Sequence, residues 1–291
     1  MLNHFLYNEC KDIQKNKFKS KIPYIVLTSL FGNYDTLKEP EEYDNYAKYI
    51  CVTDRKDLTS NIWEFVYVND FENNDLTGLQ KSFIIKYKKL FDYFSICDVK
   101  YIVRLDASIQ IHKSLYDIIR FMENNKNNCC LMLHPECSNM IDEYNRWETL
   151  RNHDKKYKDI FINEMINNQF NFNYNTGLIE TTFQIYKKDT LIRIMISELS
   201  NLLERTTNFS DNNDQCYYTY ILSKYINYIN PLFVNRQIIS SDYMDLCYHY
   251  TNNIVYKDHN HARGPLGEFI YDLDKSITYK LFNKEYKIKY F

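Results

Sequence analysis

Glycine and proline are scarce in this chain, with 5 of each among 291 residues. A flexible linker rich in either residue is therefore excluded, as is a collagen-like repeat. The chain also lacks an apolar run of the roughly 18 residues that a membrane-spanning helix needs. Its first residues lack the apolar core of a secretory signal. Because the eight cysteines show no CxxC spacing, we expect reduced thiols and a cytoplasmic protein.

The charge of the chain is nearly balanced, since 36 Lys and Arg face 38 Asp and Glu, for a net charge of -2. This balance argues against a nucleic-acid protein that works by neutralising phosphates, although it leaves room for a pocket that holds one diphosphate. Aromatic residues are abundant, with 28 Tyr and 18 Phe. They reflect either the base composition of the genome or a surface whose rings stack on sugars.

Predicted strands and helices alternate in the first half of the chain. The apolar pattern predicts strands at 24–31, 46–52, 63–68, 101–105 and 130–134, and helices at 78–94 and 114–123. In the second half it predicts helices within 139–170 and at 191–203 and 215–225, a strand at 176–186, and a hairpin or edge strand within 277–291. Alternation of this kind predicts an α/β fold, with a Rossmann-like, mostly parallel sheet and helices on both faces.

We expect a single domain at 23–291 after a lead-in at 1–22, with a nucleotide-binding half at 23–135 and an acceptor-binding half at 136–291. Ligands of such sheets bind beyond the carboxyl ends of the strands. The polar residues that directly follow predicted strands are therefore candidates for the site. They fall at 31–34, at 53–54, at 106–108 and at His134.

The sharpest local signal is the run Arg104-Leu105-Asp106-Ala107-Ser108. Side chains alternate along a strand, so Arg104 and Asp106 share a face. A carboxylate at the end of an apolar strand is costly unless a cation or hydrogen-bond donors meet it. One such cation is Mg²⁺ or Mn²⁺ at a diphosphate, because these ions prefer oxygen ligands. The alternative is a structural Arg104–Asp106 ion pair, or an aspartate that shapes a turn.

The position of this run resembles that of the D-x-D motif in GT-A glycosyltransferases, with D-A-S in its place. The segments LTSLFGNYDTLKEP and CVTDR are similar to a glycosyltransferase-like family of plants and bacteria, whose plant members are linked to mucilage pectin. The second half resembles the retaining GT-A group that includes glycogenin and bacterial lipopolysaccharide galactosyltransferases. There, FNYNTGLIE is similar to an N-x-G motif, NNDQCYY to a D-Q motif and HNHARGPLG to an H-x-x-G motif.

These resemblances imply a site that binds a nucleotide-diphosphate sugar with a divalent metal ion, Mn²⁺ or Mg²⁺. The implied metal ligands are Asp106, Ser108 and His261, and the implied catalytic residues are Asn175, Asp214 and Gln215. The implied donor-binding residues are Thr28, Phe31, Gly32, Asn33, Tyr34, Asp54, Lys86, Lys89, Arg104, Asp106, Ala107, Ser108, Arg263 and Gly264. Two departures bear on the metal: Ser108 replaces the second aspartate, and no Lys-Pro-Trp follows the H-x-x-G motif.

Several of these residues have simpler readings. Asp214 could cap the helix that follows it, Lys86 and Lys89 could lie on a solvated helix face, and His261 could be an exposed loop residue. The acids near the fifth predicted strand, Glu136, Asp142 and Glu143, are candidates for a base on the acceptor side. The basic tail after Ile277 protects a sheet edge or touches a membrane surface weakly.

We therefore expect a glycosyltransferase that takes a UDP-sugar and a saccharide or lipid-linked saccharide acceptor, in surface-polysaccharide or glycoconjugate synthesis. The motif order favours retention at the anomeric carbon. The sequence leaves a homodimer open, and nucleic acid is not an expected partner. Two other functions remain open, a nucleotidyltransferase and a non-catalytic nucleotide- or carbohydrate-binding protein with a degenerate transferase fold.

Overall fold

The computed structural model describes residues 22–32, 36–68, 71, 75–111, 114–134, 139–151, 155–170 and 177–235, and three further strands at 244–245, 277–281 and 284–288. Several residues singled out above lie outside the described residues. They are the lead-in up to residue 21, Asn33, Tyr34, Glu136, Asn175, His261, Arg263 and Gly264.

The described strands are β1 (Tyr24–Leu30), β2 (Ala47–Thr53), β3 (Glu64–Tyr67), β4 (Tyr101–Leu105), β5 (Gln110–Ile111), β6 (Cys129–Leu133), β7 (Ile179–Lys187), β8 (Pro231–Asn235), β9 (Met244–Asp245), β10 (Ile277–Leu281) and β11 (Lys284–Ile288). Seven of them form one sheet in the order β3-β2-β1-β4-β7-β6-β8. Neighbouring strands are parallel except at β7, which is antiparallel to both β4 and β6. The short β5 pairs with β9, and β10 and β11 form an antiparallel hairpin.

The described helices are α1 (Gly78–Phe83), α2 (Leu90–Cys97), α3 (Tyr116–Asn124), α4 (Met140–Arg151), α5 (Lys155–Asn167), α6 (Thr190–Thr207) and α7 (Asp214–Tyr225). A π-helical turn, Ile84–Lys88, connects α1 to α2. Apolar residues of α3 pack on one face of the sheet, while those of α4 to α7 and of the α1–α2 segment pack on the other. The expected α/β fold class, Rossmann-like with helices on both faces, is confirmed.

Burial on both faces explains why the central strands read as continuous apolar runs. Every residue of β4 and β6 is buried. The adjacent Cys129 and Cys130 illustrate this, because they belong to the two different apolar clusters on opposite sides of the sheet. Arg104 is the one charged residue within these two strands, and its face is covered by the α1–α2 segment, α6 and α7.

The structure differs from the predicted elements in three places. The helix predicted at 78–94 is interrupted by the π-turn, the edge strand β8 and the short β5 and β9 were not predicted, and β7 runs against its neighbours. The hairpin predicted within 277–291 is present as β10 and β11. Within the part of the chain that the structure describes, no helix combines the length and the apolar character needed to cross a membrane.

Candidate functional site

One edge of the sheet collects the carboxyl ends of β1, β2, β4, β6 and β8 together with the first residues of β7. The strand order reverses between β1 and β4, since β2 and β3 follow on one side of β1 while β4 and the later strands follow on the other. In open α/β sheets, the crevice beyond such a reversal is where ligands bind. Gly32 follows β1 at this point and Asp106 follows β4.

The ends of β1 and β2 are joined through the carboxylate of Asp54. Its Oδ1 accepts the backbone N–H of Gly32 at 3.0 Å, and its Oδ2 lies 3.2 Å from Nζ of Lys81 on α1. Gly32 has φ of +62°, the left-handed region in which glycine is not strained. Lys81 and Asp54 are both partly exposed, so this pair offers a cation and a carboxylate at the rim of the crevice.

Phe31 and Thr28, which were expected to bind the donor, are among the buried residues of that set. The ring of Phe31 is 2% exposed and packs edge-on against Phe71 at 5.5 Å between centroids. Its ring therefore has almost no exposed surface for contact with a nucleotide. Thr28 is buried within β1, and its hydroxyl has no hydrogen-bond partner among the described residues. Side-chain contact of either residue with a nucleotide would need the core to open.

Close approach of α1 to the end of β1 depends on Gly78. A Cβ at this position would lie 2.9 Å from the carbonyl oxygen of Phe31. Side chains do not tolerate that distance, so the residue must be glycine for α1 to sit here. The approach matters for the site because α1 carries Lys81. Thr77 caps α1 and forms a capping box with Gln80, which fixes where the helix begins.

At the end of β4, the guanidinium of Arg104 donates to Oδ1 of Asp106 and to the backbone carbonyl of Thr181 at the start of β7. Arg104 is buried, whereas the side chain of Asp106 is 35% exposed. The ion pair considered above as the structural alternative therefore exists. It does not occupy the whole carboxylate, because Arg104 binds Oδ1 while 35% of the side chain stays exposed. Ala107 and Ser108, which follow in the chain, are buried.

The network continues from Thr181 to Asp214, the first residue of α7. The Thr181 hydroxyl donates to Oδ1 of Asp214 at 2.9 Å. The other oxygen, Oδ2, accepts from Nζ of Lys86 at 2.5 Å and from the hydroxyl of Tyr87. With Lys86 only 3% and Asp214 only 8% exposed, this is a buried ion pair. Asp214 does not cap α7, as the simpler reading had proposed, since the N-cap residue is Asn213.

The π-turn explains why Lys86 and Lys89 are not neighbours. The N–H of Lys89 bonds to the carbonyl of Ile84, five residues earlier, at 2.9 Å. This wider turn places Ile85, Lys86 and Tyr87 inward together. Lys89 is 46% exposed, and its nearest acidic partner is Asp92 at 3.9 Å. Lys86 and Lys89, both expected to bind the donor, therefore do not share one face of this segment.

Charge interactions in the network shift the pKa of its members. Burial would raise the pKa of Asp214, but Lys86, the hydrogen bond from Tyr87 and the charge of Arg104 together hold it below its usual value. Burial lowers the pKa of Lys86, and the charge of Arg104 acts in the same direction, against Asp214 and Asp106. Burial and the charge of Asp214 raise the pKa of Tyr87 far above its usual value, so its hydroxyl stays a donor.

Gln215 belongs to a second buried cluster beside the first. Its Nε2 donates to Oε1 of Glu143 on α4 at 2.6 Å, and Trp147 donates its indole N–H to the same oxygen. The other oxygen of Glu143 lies 3.9 Å from Nε2 of His134, which directly follows β6. Glu143 is buried, so its contacts favour a role in fixing the first turn of α7 over a role as a solvent-facing base. Asp142, in contrast, is exposed and bonds to Asn139.

The described residues do not by themselves form a metal centre, since no group of three or more His, Cys, Asp or Glu among them could hold an ion. At the end of β4 they offer one partly exposed carboxylate, that of Asp106, with one oxygen paired to Arg104. Divalent ions of this class take about six oxygen ligands. The expected ligand set therefore depends on His261, which lies outside the described residues.

Sequence reasoning missed Lys81, Tyr87 and Thr181 as residues of this site. It named Glu143 as a candidate base but missed its hydrogen bond with Gln215. A signal existed for Thr181, because it lies in a run of three polar residues, 180–182, within a strand that is buried along most of its length. Lys81 and Tyr87 carried no signal, because their positions depend on the capping of α1 and on the π-turn.

Comparisons with known proteins give likeness of fold only. No protein-family model matches the chain, and no curated protein matches it. Among solved structures, the mannosyltransferase Ktr4p from S. cerevisiae is similar at 15% identity and a TM-score of 0.38, over 74% of this chain and 70% of that one. The same enzyme in complex with GDP gives 14% identity and 0.40, over 76% of each chain. Core-mannan synthase A (CmsA/Ktr4) from Aspergillus fumigatus, in its Mn/GDP form, is similar at 12% identity and a TM-score of 0.42, over 72% of this chain and 71% of that one.

Proposed function

We propose that the protein is a glycosyltransferase that moves a sugar from a nucleotide-diphosphate donor to an acceptor hydroxyl. In this reaction the bond from the anomeric carbon to the diphosphate breaks and a bond to the acceptor oxygen forms. The acceptor loses its proton, and the nucleoside diphosphate leaves. We further propose a UDP-sugar donor, a saccharide or lipid-linked saccharide acceptor and a retaining outcome, which rest on the motif resemblances described above.

One observation carries the proposal, namely the continuous network that joins the D-A-S run to the D-Q pair. Asp106 binds Arg104, Arg104 binds the carbonyl of Thr181, and the hydroxyl of Thr181 binds Asp214. The two motifs come from different halves of the chain, and a GT-A site would need them at one strand edge. A structural role for Asp106 alone would not require the contacts to continue to α7.

Within such a site, the burial of each charged residue decides whether it can contact the donor directly. Lys81 is partly exposed and stands near the end of β1, where it can contact a phosphate or a ribose hydroxyl. Arg104 and Lys86 are buried, so they act on the leaving diphosphate through their positive charge and not by direct contact. Asp214 has donors on both oxygens, so it serves to fix Lys86 and not as a free base.

The charge of Asp106 would repel a diphosphate unless a cation lay between them. The proposed divalent ion would meet this need at the exposed part of Asp106, with Ser108 and His261 as further proposed ligands. When bound, such an ion would stabilise the charge that builds up on the leaving diphosphate. Arg263, Gly264, Asn33 and Tyr34 remain proposed donor contacts, and Asn175 remains a proposed catalytic residue.

The first test is the thermal shift of the protein with UDP, GDP and CMP, each with and without Mn²⁺. A ligand at about a hundred times its dissociation constant stabilises a protein by roughly 2.7 kcal/mol. We expect UDP to raise the melting temperature, and the rise to need Mn²⁺. The Asp106→Asn variant should lose the Mn²⁺-dependent part while keeping an acceptor for Arg104.

The matched control is Asp117→Asn, which removes the charge of an exposed aspartate that pairs with Arg120 on the same helix. This variant should bind nucleotide like the unchanged protein. A UDP shift that does not depend on Mn²⁺ would remove the metal from the proposal and leave the charge role to Lys81, Lys86 and Arg104. No shift with any of the three nucleotides would contradict the proposed function.

A further inference from the structure

We infer that Tyr87 is a positioning residue of the proposed transferase site: by donating to the same oxygen as Lys86, it holds the Asp214 carboxylate in the orientation that fixes the ammonium of Lys86. This inference rests on the proposed function, because it assigns Tyr87 a part in that same site. Tyr87 is itself buried, at 2% exposed, so it acts through Asp214 and not by contact with a ligand at the surface.

The backbone shows how two consecutive side chains reach one carboxylate. In an α-helix, successive side chains diverge by about 100° around the axis, so one of the two would point away from α7. The π-turn at 84–88 widens the helix, and both Lys86 and Tyr87 face inward. A π-turn costs regular hydrogen bonding and is frequent at functional sites. Here the π-turn allows Lys86 and Tyr87 to donate to the same atom, Oδ2 of Asp214.

The division of donors indicates what the tyrosine hydroxyl does. Thr181 holds Oδ1, while Lys86 and Tyr87 share Oδ2. Without the hydroxyl of Tyr87, Oδ2 would accept a hydrogen bond from Lys86 alone. Because the lysine side chain is flexible, the Asp214 carboxylate and the Lys86 ammonium could then rotate together. A hydrogen bond to a charged, buried group is among the stronger ones in a protein. Loss of this one should therefore displace Lys86 without removing any charge from the site.

The charged and titratable groups around Asp214 come from three elements. The π-turn contributes Lys86 and Tyr87, β4 contributes Arg104 and, further along the network, Asp106, and β7 contributes Tyr186. The hydroxyl of Tyr87 donates directly to Asp214, and Tyr87→Phe deletes it without changing the net charge and with the loss of only one oxygen atom from the core. Tyr87→Phe is therefore the cleanest probe of positioning in this network.

The experiment compares Tyr87→Phe with a matched control, Tyr144→Phe. Tyr144 is also buried and donates to a carboxylate, that of Asp211, at 2.7 Å, but it takes no part in the Lys86 network. Steady-state transfer is measured for each variant, together with the pH titration of the Asp214 carboxyl carbon by ¹³C NMR. We expect Tyr87→Phe to lower kcat about 10- to 100-fold with the donor KM within about twofold, and to move the Asp214 titration to higher pH.

The control should leave kcat and the Asp214 titration unchanged, even where it lowers the melting temperature. Unchanged kcat and titration in Tyr87→Phe would overturn the inference while leaving the transferase in place. If the unchanged protein transfers no sugar, the proposed function fails, and the NMR titration still decides whether Tyr87 holds Asp214. If Tyr87→Phe does not fold, 3-fluorotyrosine at position 87 replaces it, because fluorine makes the hydroxyl a stronger donor and keeps the ring. The Asp214 titration should then move to lower pH, and an unchanged titration would overturn the inference.

Discussion

Removing the charge of Asp214 should destabilise the protein strongly, because it leaves the ammonium of Lys86 buried without its ion-pair partner. The Asp214→Asn variant keeps the shape of the side chain, and its amide oxygen can still accept a hydrogen bond. What is lost is the negative charge 2.5 Å from Nζ of Lys86. Breaking a buried ion pair by removing one partner typically costs about 3–5 kcal/mol, and the burial of Lys86 and Asp214 places this pair in that class.

The expected cost translates into a measurable change in melting temperature. Unfolding entropy of about 2.1 cal/mol/K per residue gives roughly 0.6 kcal/mol/K for the 291 residues of this chain. A loss of about 3–5 kcal/mol should then lower the melting temperature by about 5–8 °C. Urea unfolding gives the free energy of unfolding directly, from the shift of the midpoint at unchanged slope.

A double-mutant cycle separates the ion pair from other effects of the substitution. Lys86→Met combined with Asp214→Asn removes both charges, so the double variant should cost at least about 2 kcal/mol less than the sum of the single variants. The control is a cycle on Lys88, the last residue of the same π-turn, and Glu204, whose side chains form an exposed ion pair with an N–O distance of 2.7 Å. This exposed pair should couple by less than about 1 kcal/mol. Additivity within about 0.5 kcal/mol at Lys86 and Asp214 would refute the reasoning.

Three further predictions concern the scaffold and the rim of the crevice. Gly78→Ala should cost about 1–3 kcal/mol in urea unfolding, because the new Cβ would lie 2.9 Å from the carbonyl oxygen of Phe31; an unchanged midpoint would mean that α1 can shift. Asp44→Asn should cost about 1–3 kcal/mol, because this buried carboxylate accepts from the hydroxyl of Tyr24 at the opposite edge of the sheet, and it should leave nucleotide binding unchanged. Asp54→Ala should weaken nucleotide binding in a calorimetric titration while the far-ultraviolet circular dichroism spectrum stays the same, and equal affinity would remove Asp54 from the site.

Much of the sheet could be predicted from the sequence because its strands are buried on both faces. Buried parallel strands leave short apolar runs such as YIVRL and CCLML, which end at polar residues. The edge strand β8 escaped prediction because it begins at a proline, Pro231, which argues against a strand interior. The reversed direction of β7 could not be predicted, because the apolar pattern of a buried strand does not record its direction.

The site was predictable where residues follow strands and was not where helix geometry decides. Asp106 and Asp54 lie at strand ends, and the structure places both at the carboxyl edge of the sheet. The ion pair between Lys86 and Asp214 could not be predicted, because it joins segments that are distant in the sequence. Lys86 and Lys89 do not share one face, because a π-turn changes the helical period between them. The sequence suggested that the ring of Phe31 is accessible to a ligand because a turn follows it, but the ring is buried in the core against Phe71.

Acceptor-dependent release of nucleoside diphosphate tests the central claim most directly. The protein is incubated with a panel of UDP- and GDP-sugars, with and without saccharide acceptors, and the product is analysed by NMR for its anomeric configuration. We predict release from one donor class that depends on an acceptor, falls at least about 100-fold in Asp106→Asn, and persists in Asp117→Asn. Absence of acceptor-dependent release from every donor, or full activity in Asp106→Asn, would contradict the account.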